Sequence, residues 1–355
     1  MLCNKIIKKL FLGLFIIPFL ISCAPKSSQL FIFRSFENGQ YVYYESDIYN
    51  PSKTQKLDTP PCNTNPRYFT PSWSLNGKHY VCSALVDQPL FIKDSNNVIT
   101  AKLEPGDPND SILWSFGSWS PNSQYITVNG KHSEDLFIMK YDGANFLQLV
   151  RSSNAAVGQS QWSPNGKYIA YQYFPFANDN DYLTTIDTTG RETHRFDLQK
   201  LTNGASPYGF NWSPDSKKLT FLGSSYLDDG WYILDIESGR ISSVILKGII
   251  CGWNLPEWSP NGQQFLIVAH DCKTYTWGDL SADRIYTINS DGSNLKSLTD
   301  KSVGNAHWSP DGKFIIFDKY TNQGSEIFIM NADGTNQRNL FGNQSHLSFI
   351  QWITP

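Results

Sequence analysis

A Trp-Ser-Pro turn repeated along the chain leaves few folds open to it. Its clearest copy is Ala306 to Phe317, AHWSPDGKFIIF, and related copies mark Trp73, Trp119, Trp162, Trp212, Trp258 and Trp308, with a partial one at Trp352. The intervals are 46, 43, 50, 46, 50 and 44 residues. A period in the forties with strand-like content is the spacing of four-stranded propeller blades. In each copy, Pro sets φ at the second position of a type I turn and Asp or Asn suits the third. Gly then takes the left-handed conformation that closes the hairpin. Each Trp therefore ends an inner strand A, and the apolar run that follows forms strand B: residues 79–82, 125–128, 168–171, 219–221, 265–268 and 314–317. These runs alternate little, as expected of a strand covered on both faces. Strand C follows, as in residues 136–139 and 327–330. Asp-Gly turns at 142, 291 and 333 then lead into a more polar outer strand D.

Residues 30–33, 41–45 and 54–57 read as strands B, C and D with no A before them, and residues 348–352 read as an A with nothing after. Joined, they make one blade from both ends of the chain, which hides sheet edges that an open ring would leave unpaired. The expected fold class is all-β, a seven-bladed β-propeller closed by N-terminal strands B–D and C-terminal strand A. Six blades is the alternative, if the N-terminal strands pack elsewhere. Residues 30–355 then form one repeat domain despite the length of the chain.

The chain opens with Lys5, Lys8 and Lys9 ahead of an apolar run from Leu10 to Ile21, which is short for a membrane span and has the layout of a secretory signal. The run ends Leu20-Ile21-Ser22-Cys23, which resembles the lipobox of bacterial lipoproteins. That resemblance implies a signal peptide over 1–22, lipid on Cys23, and a tether over 23–29. Several acyl chains on one residue make a stable anchor where a single chain does not. Ala24, where an Asp would imply inner-membrane retention, points to the outer membrane or cell surface. Losing the three signal lysines takes the formal charge from −3 to about −6, with no basic run left, which argues against a nucleic-acid partner. Beyond Cys23 there are four cysteines, an even number that suits an oxidising compartment. Cys62 and Cys251 precede strand A of their blades, and Cys82 and Cys272 lie at or just past the end of strand B. Both loop types share one face, so disulfides Cys62–Cys82 and Cys251–Cys272 are expected.

No nucleophile elbow, zinc helix, phosphate-binding glycine loop or paired Cys-x-x-Cys is present. The Asp-Gly turns lack the run of carboxylates of a calcium loop. No metal or other cofactor is expected, because His132, His270, His307 and His346 belong to different blades and lack ligand spacing. The residue before each motif Trp is polar in every copy: Ser72, Ser118, Gln161, Asn211, Glu257, His307 and Gln351. Pointing toward the axis, these would ring a central channel. Aromatics lie just upstream, among them Tyr68, Trp114, Phe116, Tyr208 and Trp253. With Glu257, His307 and Gln351 they outline a binding funnel for a peptide or glycan.

The six WSP[DN]G-like copies, with IFIMNADGTN at 327–336, resemble the TolB-type, WD-like propeller repeat. Three copies depart from it: Leu75 replaces Pro in the first, and Ser123 and Ser216 replace Gly in two others, which should loosen those turns without changing register. The resemblance covers residues 30–355 and implies binding or scaffolding more often than catalysis. The expectation is a monomeric, lipid-anchored, extracytoplasmic module of the bacterial envelope. It would bind a protein, peptide or glycan and carry no catalytic residues. The alternative is a metal-assisted polysaccharide lyase or hydrolase that uses the four histidines.

Overall fold

The computed structural model describes residues 28–57, 71–82, 89–104, 114–130, 134–177, 180–202, 206–224, 230–244, 250–251, 255–271, 283–300, 302–342 and 344–354. The expected signal segment 1–22 and Cys23 lie outside these residues. The chain forms seven antiparallel sheets arranged as a seven-bladed propeller, which settles the blade number. The third blade shows the common pattern: Ala155–Trp162, Tyr168–Pro175, Tyr182–Asp187 and Glu192–Asp197, in order from the axis outward. In the fifth, the innermost strand is split into Ile250–Cys251 and Glu257–Trp258, both paired with Gln264–Asp271.

The seventh blade is sewn from both chain ends. Leu347–Ile353 pairs with Leu30–Glu37, which pairs with Gln40–Asp47 and then Gln55–Lys56. Leu30 stands opposite Ile353, and the Thr354 N–H donates to the carbonyl of Leu75, inside the first Ser-Pro-type turn, at 2.7 Å. Both ends of the described chain therefore lie on the face that carries these turns. The ring then closes laterally: the Gln351 side chain donates to the Trp73 carbonyl at 3.2 Å. Apolar clusters sit between successive blades, each holding motif tryptophans, as with Trp308 among Leu266, Ile285, Ile315 and Phe317.

The turn serine organises each repeat. In all six full copies its hydroxyl donates to the Asn or Asp two residues on, at 2.6–2.8 Å. It also accepts the N–H of the first strand B residue, as Phe314 does to Ser309 at 2.9 Å. A buried polar group at this position is thus fully engaged, and the turn is fixed from inside.

The two serines that stand in the glycine position correct one expectation. Ser123 and Ser216 hold left-handed φ values of 58° and 61°, like the glycines they replace. Their hydroxyls accept the N–H of Asn76 (3.2 Å) and Asn165 (3.0 Å) from the neighbouring blade. The turns are not loosened, because backbone strain of about 1 kcal/mol is offset by a hydrogen bond that glycine could not make. Ser216→Gly should therefore unfold within about 1 kcal/mol of wild type. Ser216→Ala keeps the strain and strands the Asn165 N–H, and should lose about 1–2 kcal/mol. Urea unfolding midpoints of the two variants check this, and equal losses would refute the account.

Candidate functional site

The residues before the motif tryptophans do more than face the axis, because they lace adjacent blades together. The Ser118 hydroxyl accepts the Trp162 N–H at 2.9 Å, and Glu257 Oε1 accepts that of Trp308 at 3.0 Å. The Gln161 side chain donates to Asn211 Oδ1 at 3.2 Å. Two indoles complete the belt: Trp119 donates to the Ser72 carbonyl at 3.0 Å and Trp212 to that of Gln161 at 3.2 Å. The six tryptophans of the full motif copies are buried between blades, and Trp162, Trp212 and Trp258 show an edge to the cavity beside the belt.

What the lacing leaves open is a cavity of about 730 Å³ against the third to sixth blades. Gln161, Asn211, Glu257 and His307 line it at belt level, with the Pro164 and Pro214 turns at one end and Leu255 and Asn305 at the other. His307 Nδ1 lies 2.8 Å from Glu257 Oε2, and its ring packs on Phe349 of the closing strand with centroids 4.8 Å apart. Burial disfavours charge on the imidazole, but the hydrogen bond and charge of Glu257 outweigh it and hold the pKa above the ordinary histidine value. Each Glu257 oxygen accepts one hydrogen bond, Oε1 from the Trp308 N–H and Oε2 from His307. The imidazole Nε2 is left as the open valence of the pair.

Asp318 was not signalled among the expected site residues. It is buried on the strand Phe314–Thr321 and reaches into the closing blade, accepting the Phe349 N–H at 3.0 Å and the Ser348 hydroxyl at 2.8 Å. Burial raises its pKa to about 6, against the pull of those two donors and of His307 and Arg34. Asn129, at the same repeat position, donates to the Val157 and Gly158 carbonyls of its neighbour. A polar residue ten positions after the motif Trp, in an otherwise apolar run, is the signal that would have found both.

The other expected residues fall elsewhere. The Trp114 indole donates to the Glu104 carbonyl at 2.6 Å, and its ring sits edge-on to Phe137 and Phe146. Phe116 packs toward Trp119 in the same blade. Gln351 serves the belt at the seam. Tyr208 lies on the inner strand Ser206–Trp212, its side chain outside the described residues, where Tyr68 and Trp253 also fall. Among the histidines, His270 is paired with Asp283 at 3.0 Å, on the strand Gln264–Asp271 that pairs with Glu257–Trp258 in the same blade. His346 sits over Gly324, and His132 lies outside the described residues. Among the described residues no group of three His, Cys, Asp or Glu side chains could hold a metal. Cys82 is buried at the end of its strand, and the Cys251 backbone stands opposite His270. Cys62, Cys272 and the Cys251 side chain are outside the description.

No protein-family model matches the chain. It is similar to an uncharacterized protein of Agrobacterium fabrum, 26% identical over 260 residues, covering 68% of this chain and 81% of that one. Among solved structures, an oligogalacturonate lyase from Vibrio parahaemolyticus superposes with a TM-score of 0.61 at 12% identity, covering 84% of this chain and 85% of the other. TolB from Acinetobacter baumannii matches with a TM-score of 0.45 at 16% identity, over 86% of this chain and 77% of that one. At 12% identity the likeness to the lyase is one of fold alone.

Proposed function

We propose that this protein is a lipid-anchored, extracytoplasmic propeller that binds a protein, peptide or glycan of the bacterial envelope at its axial channel, without catalysing a reaction. The observation that carries the reading is the cavity at belt level, where the blade-to-blade bonds leave polar atoms of Gln161, Asn211 and His307 open. Concave sites with a few convergent polar groups are where ligands bind. The lipobox-like ending at Cys23 supplies the anchor, and disulfides Cys62–Cys82 and Cys251–Cys272 fit an exported chain. A propeller resembling the TolB type supports partner binding in general.

A second reading, a metal-assisted lyase or hydrolase, draws on one observation: a Glu-backed imidazole with an open Nε2 is also how metal-ligating and proton-transferring histidines are held. Two measurements test the first reading. Labelled palmitate should enter wild type but not Cys23→Ser, which should leave the membrane fraction. A pull-down from envelope extract should lose a partner on Gln161→Ala with Asn211→Ala. Label retained by Cys23→Ser would remove the anchor, and identical recovery by both proteins would remove the channel. A stoichiometric transition metal in the purified protein would move the assignment to the second reading.

A further inference from the structure

We propose that the belt-level cavity is a receptor for a carboxylate, held by His307 Nε2–H in a cavity that the side-chain amides of Asn211 and Gln161 also line. The inference deepens the binding reading above and rests on it. Its basis is which valences the lacing has used up. Glu257, the one carboxylate in the belt, accepts one hydrogen bond on each oxygen, from the Trp308 N–H and from His307 Nδ1. It therefore orients the imidazole, whose positive charge when protonated balances that of the carboxylate. Asn211 spends only its Oδ1, on Gln161, and keeps both amide hydrogens. The second hydrogen of Gln161 Nε2 is also open. With Nδ1–H fixed on Glu257, the protonated ring offers a charged N–H to the cavity. Gln161 Oε1 is an open acceptor beside these donors, but the imidazolium N–H is the one charged donor among them, and a carboxylate, which only accepts, is its complement.

The surrounding charges permit this. The Glu257–His307 pair is neutral overall when the ring is protonated. Asp318, on the adjacent strand of the same blade, is buried and turned to Ser348 and Phe349, with Arg34 in its field. The closing strand puts the apolar ring of Phe349 against His307. A neutral polyol would be served by the same cavity, but it would gain nothing from protonation of the ring. The direction of the pH dependence therefore separates the two ligand classes.

The carboxylate could belong to a free small acid or to a peptide C-terminus, so three probes are used: succinate, a tetrapeptide with a free C-terminus, and its C-terminal amide. Binding is followed on the imidazole resonances of the histidine-labelled mature protein, with the His307 signal assigned by His307→Gln. The expected result is that succinate or the free peptide shifts the His307 signal, raises its pKa and binds more tightly as pH falls through that pKa. The amide should bind at least about tenfold more weakly than the acid, as should the acid to His307→Gln, since a charge-assisted hydrogen bond is lost. Glu257→Gln, which keeps an acceptor for the Trp308 N–H, should move the pH dependence to lower pH. Binding to succinate alone assigns the site to free acids, and binding to the free peptide alone assigns it to chain termini. Binding that is unchanged in His307→Gln, equal for acid and amide, or absent for all three probes would overturn the proposal. The palmitate and pull-down results do not depend on these titrations, so the two readings fail separately.

Discussion

A chain ending at residue 345 is expected to lose cooperative unfolding. The strand Leu347–Ile353 buries Leu347, Phe349 and Ile353, each about 4% exposed or less. At about 1.5–3 kcal/mol apiece these side chains contribute roughly 5–9 kcal/mol, comparable with the whole stability of a typical domain. The deletion would also expose an edge of Leu30–Glu37 to pairing with other chains and leave Asp318 buried without its two donors. Urea unfolding followed by tryptophan fluorescence should change from a sigmoid to a shallow slope, and a synthetic peptide of residues 346–355 should restore the sigmoid. A truncated chain that unfolds at the wild-type midpoint would show that the seam does not hold the wheel.

Stability should also peak in mild acid, with Asp318 the main cause. Its pKa is raised to about 6 in the folded chain against 3.8 when unfolded. Between these values the folded state keeps a proton that the unfolded state has released, so stability falls as pH rises from about 4 to about 6. The full effect is about 3 kcal/mol, taking 1.36 kcal/mol per pKa unit. His307 acts in the same direction at higher pH. The stability gained from its raised pKa is complete below the ordinary histidine value and is lost as pH rises through the folded value. The turn aspartates oppose both at the acid end. Asp187 is lowered to about 2, and Asp142, Asp235, Asp291 and Asp333 are lowered as well, by hydrogen bonds from their own turns. What they add is present above the unfolded value and is lost as pH falls below about 4. Asp318→Asn keeps an oxygen for the Phe349 N–H and removes the titration. Unfolding midpoints at pH 4.5 and 5.5 should then be nearly level, with only the His307 decline remaining toward pH 7, where the variant should be the more stable protein. An unchanged decline in the variant would place the effect elsewhere.

The architecture was legible because each repeat states the same local chemistry. Ser-Pro-Asx-Gly can close only one kind of hairpin, and an apolar run without alternation asks for cover on both faces. Even the composite blade was written in the order of its strands. The site was legible only by position. A polar residue before each Trp marks the belt, but nothing local says that Glu257 reaches the next blade while Gln161 pairs with Asn211, because those partners lie 50 or 51 residues away. Asp318 was hidden for the same reason: its donors are 30 and 31 residues distant and meet it only once the ring has closed. Ser123 and Ser216 looked like weakened turns because a hydroxyl's use depends on what the adjacent blade presents to it.

The placement of both ends on the Ser-Pro face has a geometric consequence for an anchored protein. With lipid on Cys23, seven residues lead to Leu30, a leash of at most roughly 25 Å when fully stretched. The wheel would then hover with its turn-bearing side toward the bilayer. The opposite side, which carries turns such as 38–39 and 322–323, would look out into the surrounding compartment, so that visitors from solution approach the hub from there.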